Sequence, residues 1–533
     1  MFANFASFAH LPSRAKVDPK DIPPPTPVVL PRYQPFAKED NTVEQAGALS
    51  NLLTFTSRPT AALGATGLNA LGVDLIQDVA AQDIVPDVSF TPDFQKWDRL
   101  SVDEARDQNQ STRNPIRNGN LSPGCQVYFD RKKELSTPNE DAFRTVRRIP
   151  PPKGKQQARL GNSYEFFRCL ELFTTFWDDP TENTLLPPSP ELSASETAAP
   201  ADAPDASGGS NGDAPKVEET QGPARTASGQ SMPAEYRQNL VTAFIKLIAY
   251  DFGCNVSLSR VEPRLHLSSP QGAPQRRKTY TPSSCSFIFQ SPMTREAARI
   301  GTLYGPVAAV SARGVTNMTT PDMETAQSQD LAREVVAALI TAQHRAREGK
   351  TEVRFGEGEW WTSKPRWGGG TGGPIGREID KDAIRGDKDT KDEGASDEPR
   401  APVAKKARKN MSIYDNYRMV RPPSSTWDKK TQYEAIGKAK NSNYDDIFVV
   451  SCLFHHVSVL RVRVPQRLLE VLDGAPEPDL TRRSWGKMQT WRTKWYDLFD
   501  VDQRVAALQL IWGVMAYQMR KEGVEEDVKM TDA

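Results

Sequence analysis

Two adjacent histidines, His455 and His456, are the residues that most directly suggest metal or general-base chemistry, and Asp445 and Cys452 lie close upstream. Imidazole, carboxylate and thiolate groups are the usual ligands of transition metals. Adjacent residues of a strand, however, point to opposite faces. The pattern therefore predicts that the two rings diverge, that no metal is bound, and that the histidines pack or form hydrogen bonds.

Other catalytic patterns are weaker still. Glu357 and Glu359 could form a carboxylate pair on one strand face, but a solvated loop is the better interpretation. The nucleophile elbow GxSxG, the zinc motif HExxH, the phosphate-binding loop and the protein-kinase motifs are all missing from the sequence. No catalytic residue and no cofactor are predicted, and the chain is expected not to be an enzyme, although an enzyme of unfamiliar type remains an alternative.

A segment rich in tryptophan and glycine, residues 356–374, is the first candidate for ligand binding. Aromatic rings and cations beside a flexible backbone can hold a phosphate or stack a base. The alternative is a loop whose tryptophans pack on the preceding helix. The candidate binding residues are Trp360, Trp361, Lys364, Arg366 and Trp367.

A basic cluster within residues 402–409 predicts the localisation of the protein in the cell. Clustered cations on an extended segment fit the acidic groove of a nuclear import receptor. The alternative is a solvated run that balances the acidic residues before it. The predicted import signal consists of Lys405, Lys406, Arg408 and Lys409.

Aromatic and basic residues alternate within residues 482–496. On a helix, Trp491, Trp495 and Leu498 would share one buried face while Arg492 and Lys494 turn away. Core packing is the main prediction, and nucleic-acid contact or a partner interface are the alternatives. A nucleic-acid interface would use Lys364, Arg366, Arg482, Arg483, Lys487 and Arg492.

The elements that must position these residues follow from hydrophobic periodicity. It predicts helices over 163–177, 233–253, 320–349, 482–498 and 502–520, and one or two short helices within 43–84. Extended segments are predicted over 261–267, 286–290 and 294–310, while residues 86–160 are expected to be irregular. Within 447–464 the end reads as a strand with Arg461 and Arg463 on a wet face, and the start could be strand or buried helix.

Composition predicts an α+β fold of α-rich ordered blocks with long disordered linkers. Hydrophobic residues make up 37%, prolines number 42, and Lys plus Arg equals Asp plus Glu at 68 each, so global charge indicates no class of ligand. The predicted segments are an extended proline-rich arm (1–42), an N-terminal helical or irregular block (43–177), a disordered acidic linker (178–231), a middle α-rich block (232–367), a disordered charged linker with the import-like cluster (368–412), a C-terminal mixed block (413–521) and an acidic tail (522–533).

Two further segments carry a resemblance to known proteins. Residues 330–370 (DLAREVVAALITAQHRAREGKTEVRFGEGEWWTSKPRWGGG) and 413–430 (IYDNYRMVRPPSSTWDKK) resemble segments of a family of filamentous-fungal proteins without an assigned activity. With residues 444–474, the resemblance covers about a quarter of the chain. It implies that the middle and C-terminal blocks belong to one architecture and that the address is a eukaryotic nucleus. It implies no catalytic residue.

The sequence therefore predicts a nuclear scaffold or regulatory adaptor that acts through protein–protein contacts. Protein partners and an import receptor are expected, nucleic acid is a weaker possibility, and no membrane segment is expected because the longest apolar run is too short to cross a bilayer. The cytoplasm is the alternative address, and the weakly basic N-terminal segment makes a mitochondrial address a remote one. The rival enzyme hypothesis places a site around Trp360, Trp361, Arg366, Asp445 and His455.

Overall fold

The structure is a computed structural model of the chain. It describes residues 27–33, 64–176, 232–257, 263–268, 278–292, 302–313, 323–349, 433–477, 479 and 481–521. Both predicted linkers, most of the arm and the acidic tail lie outside these residues. Within them, helices and a mixed sheet confirm the α+β class.

A mixed sheet of nine strands forms the centre of the described fold. The strands are β1 (Val73–Val79), β2 (Cys254–Ser257), β5 (Ser286–Gln290), β6 (Leu303–Arg313), β7 (Tyr433–Glu434), β8 (Tyr444–Leu453), β9 (His456–Pro465), β10 (Met488–Thr493) and β11 (Tyr496–Asp497). Their order is β1-β10-β9-β8-β6-β5-β2, with β11 beside β9 and β7 beside β6. β6 runs parallel to β8, and β8 and β9 form an antiparallel hairpin. A separate pair consists of β3 (Arg264–Ser268) and β4 (Lys278–Pro282).

Helices cover both faces of the sheet, which buries the hydrophobic side of every central strand. One face packs on α1 (Ala65–Leu71), α8 (Met323–Arg345) and α9 (Gln466–Leu472), with Leu460, Val462 and Val449 among its buried residues. The other face packs on α4 (Cys125–Leu135), α5 (Asn139–Val146), α6 (Tyr164–Phe173), α7 (Ala234–Ala249) and α10 (Val501–Gln518). Short helices α2 (Phe94–Asp98) and α3 (Val102–Asp107) precede α4.

The long amphipathic helices were predicted correctly from their periodicity. α6, α7, α8 and α10 lie within the predicted ranges 163–177, 233–253, 320–349 and 502–520. Local signals set their ends: the Asp500 carboxylate accepts from the Gln503 amide at the start of α10, and Gly253 adopts φ 71° just beyond α7. The extended segments were also found, because β3, β5 and β6 overlap them.

Several predictions for short segments were wrong. One of the short helices predicted within 43–84 is present as α1, but residues 73–79 form β1 rather than a helix. Residues 488–493 form β10 rather than a helix, and residues 86–160 contain α2 to α5. The start of the 447–464 run is strand. Its basic face is only partly wet, because Arg461 is buried and paired with Asp446, whereas Arg463 on the same face stays partly exposed.

Candidate functional site

The main site residues predicted from the sequence lie outside the described residues. They are the import signal (Lys405, Lys406, Arg408 and Lys409) and the candidate binding loop (Trp360, Trp361, Lys364, Arg366 and Trp367). Both remain predictions.

The two described residues of the rival enzyme site do not converge. Asp445 and His455 lie at opposite ends of the ten-residue strand β8 and its turn, about 30 Å apart at the usual rise of a strand. Asp445 is buried and accepts from Arg345 Nη1 at 2.9 Å. Among the described residues, these two side chains therefore belong to different environments and share no pocket.

The described cations of the predicted nucleic-acid interface do not form one basic face. Arg483 is buried, donating from Nη1 to the Asn69 carbonyl at 2.9 Å, and Arg492 is buried against Glu334. Lys487 lies 3.7 Å from Asp74, and Arg482 is exposed. Arg483 and Arg492 were expected at a surface because cations usually stay in water, but each guanidinium here has acceptors inside the fold.

Buried charges meet at the end of β6 in a group that we name the ionic centre, made of Tyr33, Arg313, Asp330, Glu334, Ser451 and Arg492. Glu334, on α8, is fully buried and accepts from Arg313 Nη1 at 3.0 Å, from the Ser451 hydroxyl at 2.5 Å and from Arg492 Nη2. Arg313 also pairs with Asp330, which accepts from the Tyr33 hydroxyl at 3.1 Å. The ionic centre thus ties β6, α8, β8, β10 and the N-terminal arm together.

Electrostatics decide the charge state of the ionic centre. Burial alone would raise the pKa of the Glu334 carboxyl, but Arg313 and Arg492 outweigh burial and lower this pKa from 4.5 to about 2. Glu334 is therefore an anion at neutral pH. The stacking of both guanidinium groups near the Trp495 ring, at 5.5 and 5.4 Å, completes their enclosure. This geometry suits a structural role in which the ionic centre fixes the strands and α8 relative to one another.

A partly exposed surface crosses four neighbouring strands on the face of the sheet opposite to the ionic centre. We name it the docking stripe and define it by Ile76 on β1, Trp491 on β10, Arg461 and Arg463 on β9, and Tyr444 and Asp446 on β8. Strand register places Ile76 beside Trp491, Trp491 beside Arg461, and Asp446 beside Arg463. Ile76 and Tyr444 are 52% and 40% exposed. Ile76, Trp491, Arg463 and Tyr444 therefore form an at least partly exposed aromatic and cationic surface, with the buried Arg461 and Asp446 beneath it.

Two paired arginines hold the docking stripe in place. Both guanidinium groups bind the Asp446 carboxylate in a forked geometry, with Nη2 to Oδ2 distances of 3.1 Å for Arg461 and 3.0 Å for Arg463. Their faces stack on rings: Arg461 lies 4.2 Å from the centroid of Trp491, and Arg463 lies 4.0 Å from that of Tyr444. Two cations on one carboxylate leave a net positive charge on the stripe.

A cavity of about 250 Å³ lies beside α10 on the same face of the sheet as the docking stripe. Phe90, Trp97, Phe252 and Trp512 line its apolar side, and Arg520 lies among its polar residues. The volume is below the range of about 300–1,000 Å³ that is usual for small-molecule sites. Its size instead suits one large side chain of a partner.

His455 lies in a two-residue turn and His456 is the first residue of β9, and this arrangement overturns the expectation that their rings diverge. Phe454 and His455 connect β8 to β9, and Phe454 adopts φ 52°. The ring centroids of His455 and His456 are 4.3 Å apart, and His455 Nε2 lies 3.5 Å from Asp497 Oδ1 on β11. We name His455, His456 and Asp497 the histidine turn. The strand rule did not apply because His455 sits in the turn itself.

The histidine turn is held in a mostly buried setting. Burial lowers the pKa of His455 well below 6.5, and the neighbouring His456 acts in the same direction. Burial also lowers the pKa of His456, against the opposing effect of Asp497. Both imidazoles are therefore neutral at pH 7. Neutral imidazoles with a nearby carboxylate are the donor set in the described structure that could hold a metal ion.

Comparison with known proteins adds no assignment: no protein-family model, no curated protein and no solved structure matches the chain. No helix among the described residues is long and apolar enough to span a membrane. The candidate functions therefore rest on the geometry of this chain.

Proposed function

We propose that the protein is a nuclear scaffold or regulatory adaptor that binds a protein partner through the docking stripe. The observation that carries this proposal is the row of Ile76, Trp491, Arg463 and Tyr444 across four paired strands. Tryptophan, tyrosine and arginine are the residue types that dominate binding energy at protein interfaces. A sheet presents them rigidly, which reduces the entropy lost on association.

The chemistry of the docking stripe specifies the kind of partner. Its net positive charge, from Arg461 and Arg463 opposite Asp446, favours a segment that carries a carboxylate. Its exposed Ile76 and Tyr444 favour apolar side chains beside that carboxylate. We therefore expect the partner to offer an acidic segment with apolar or aromatic anchors, of which one could enter the cavity beside α10.

Quantitative affinity purification from nuclei tests the proposal, with the tagged wild-type chain compared with two double variants. Ile76→Ala/Tyr444→Ala removes the exposed parts of the docking stripe. Val102→Ala/Tyr164→Ala removes an aliphatic and an aromatic side chain of matching exposure, 51% and 39%, from α3 and α6. Exposed truncations of this kind change stability by only about 0.5 kcal/mol, so both variants remain folded.

We expect a defined set of partners that is recovered with the wild type and with Val102→Ala/Tyr164→Ala, and is depleted at least about tenfold with Ile76→Ala/Tyr444→Ala. Equal recovery with both double variants would refute the role of the docking stripe. Recovery of no specific partner by the wild type would refute the adaptor function.

The nuclear address is a separate part of the proposal. It is supported by the basic cluster within residues 402–409 and by the resemblance of residues 330–370 and 413–430 to a fungal family. Imaging of a fluorescent fusion beside its Lys405→Ala/Lys406→Ala/Arg408→Ala variant tests it. We expect nuclear wild type and a cytoplasmic variant, and a cytoplasmic wild type would refute the address.

A further inference from the structure

We propose that the histidine turn is a binding site for a divalent transition-metal ion, with His455, His456 and Asp497 as its protein ligands. This inference is independent of the docking stripe. Each of the three residues offers one ligand atom, and these atoms all lie within 4.8 Å of one another. Their convergence from the β8–β9 turn and from β11 is the geometric basis of the proposal.

Binding of an ion would require the ligand atoms to move closer together than the 4.8 Å within which they now lie. A tetrahedral ion bonded to nitrogen and oxygen at about 2.0–2.1 Å holds its ligand atoms about 3.3 Å apart. His455 Nε2 and Asp497 Oδ1 are 3.5 Å apart, and all pairs of ligand atoms lie within 4.8 Å. The tilted packing of the two imidazoles, 4.3 Å between centroids, brings the second ring within reach of the same point.

Polar atoms without partners provide a second observation. The Nδ1 atoms of His455 and His456 are buried and have no hydrogen-bond partner in the described structure, and the His455 residue is only 1% exposed. An unpaired buried polar atom usually costs about 1–3 kcal/mol. Coordination through Nδ1 would give the His456 atom a partner, whereas His455, which faces Asp497 with Nε2, would keep its Nδ1 unpaired.

The backbone around the ligands is fixed, as a preorganised site requires. The His455 carbonyl accepts from the Leu498 amide at 3.1 Å, which joins the turn to the segment after β11. Asp497 Oδ1 accepts from the Phe499 amide at 2.8 Å, and the Phe499 ring packs edge-on against His455 with centroids 5.1 Å apart. Both halves of the site are thereby held together without the ion.

The donor set selects the class of ion. Two imidazoles and one carboxylate suit Zn²⁺, Co²⁺ and Fe²⁺, whereas Mg²⁺ and Ca²⁺ prefer oxygen ligands. The Asp497 side chain is 23% exposed, so the site opens to solvent on that side. Three protein ligands leave one tetrahedral position for water.

Metal titration of the full-length chain tests the proposal after the protein has been stripped with a chelator. Calorimetry with Zn²⁺ measures stoichiometry and affinity, and absorption with Co²⁺ reports the coordination geometry. We expect one Zn²⁺ per chain, the visible absorption bands of nitrogen-coordinated Co²⁺, and no comparable binding of Mg²⁺. His456→Ala and Asp497→Asn should each weaken Zn²⁺ binding at least tenfold, because even outer-shell changes at metal sites cost about 10–100-fold.

Asp502→Asn is the matched control, since Asp502 is an exposed acid near Asp497 in the sequence that is not part of the ligand group. It should bind Zn²⁺ as the wild type does. Thermal melting without metal checks folding, and Asp497→Asn, which preserves size, decides the case if His456→Ala fails to fold. Absence of wild-type binding, or unchanged affinity in His456→Ala and Asp497→Asn, would overturn the proposal.

Discussion

Glu334 is the residue on which the buried charges of the ionic centre depend most. It accepts from Arg313, Ser451 and Arg492, which belong to β6, β8 and β10. Water does not replace these bonds, because Glu334 is fully buried. Removing one partner of a buried ion pair leaves an uncompensated charge, which is a larger loss than the net gain from making the pair.

Glu334→Ala should therefore destabilise the fold by about 3–5 kcal/mol. Glu324→Ala, which removes an exposed acid from the first turn of the same helix, should stay within about 0.5 kcal/mol of the wild type. Urea unfolding followed by circular dichroism measures both values. Equal stability of the two variants would show that the ionic centre contributes no more than a surface acid.

Acid should act on Glu334 in the same direction as the substitution. Its pKa is lowered from 4.5 to about 2, so the unfolded chain binds more protons than the folded chain between these values. The contribution of this carboxylate is complete above 4.5 and is lost as the pH falls towards 2. Between pH 4.5 and 2, the free energy of unfolding of Glu334→Ala should fall less steeply with decreasing pH than that of the wild type. The two slopes should differ by up to about 1.4 kcal/mol per pH unit.

At the scale of elements, Gln518 at the end of α10 links this helix to the docking-stripe strands. Its side chain accepts from Arg345 Nη2 at 2.7 Å and donates to the Asp446 carbonyl. Gly437 lies against this amide, and a Cβ at Gly437 would overlap the Gln518 Oε1 atom. Helix α10 is therefore positioned by a contact that only glycine permits.

Gly437→Ala should destabilise the protein by about 1–3 kcal/mol more than Gly119→Ala, the usual range for overpacking. The two glycines have φ angles of 86° and 83°, so the backbone strain is matched. No atom lies within 4 Å of a Cβ at Gly119. Thermal melting of both variants makes the comparison, and equal losses would mean that Gln518 moves aside without cost.

Helices were predictable where one stripe of apolar residues repeats over several turns. α7, α8 and α10 satisfy that condition, because each buries such a stripe against the sheet. β1 and β10 do not meet this condition. They are strands because they pair with each other, although most of the chain separates them in sequence. The spacing of Trp491 and Trp495 also matches one helical turn, so local periodicity favoured the wrong element.

The pairing of residues in the docking stripe could have been predicted from the sequence if the turn between β8 and β9 had been placed correctly. If Phe454 and His455 are placed in a two-residue turn, antiparallel register puts Asp446 opposite Arg463. The predicted wet face of β9 then becomes a pair of arginines on a carboxylate. No signal marked the turn, since it contains neither Asn nor Gly, and the same omission hid the convergence of His455 and His456.

At the scale of the whole molecule, the N-terminal, middle and C-terminal blocks all contribute strands to one sheet. β10 serves both faces: Trp491 belongs to the docking stripe, while its neighbour Arg492 enters the ionic centre. The ionic centre therefore supports the strands that display the docking stripe. Composition could separate the blocks but could not foresee this assembly, because pairing between distant segments leaves no local pattern.

The affinity between the purified full-length chain and its recovered partner tests the central claim most directly. Calorimetry should give a Kd raised at least about 30-fold, or about 2 kcal/mol, for Ile76→Ala/Tyr444→Ala, with Val102→Ala/Tyr164→Ala unchanged. If Ile76→Ala/Tyr444→Ala instead binds the partner with the wild-type Kd, the docking stripe is not the interface.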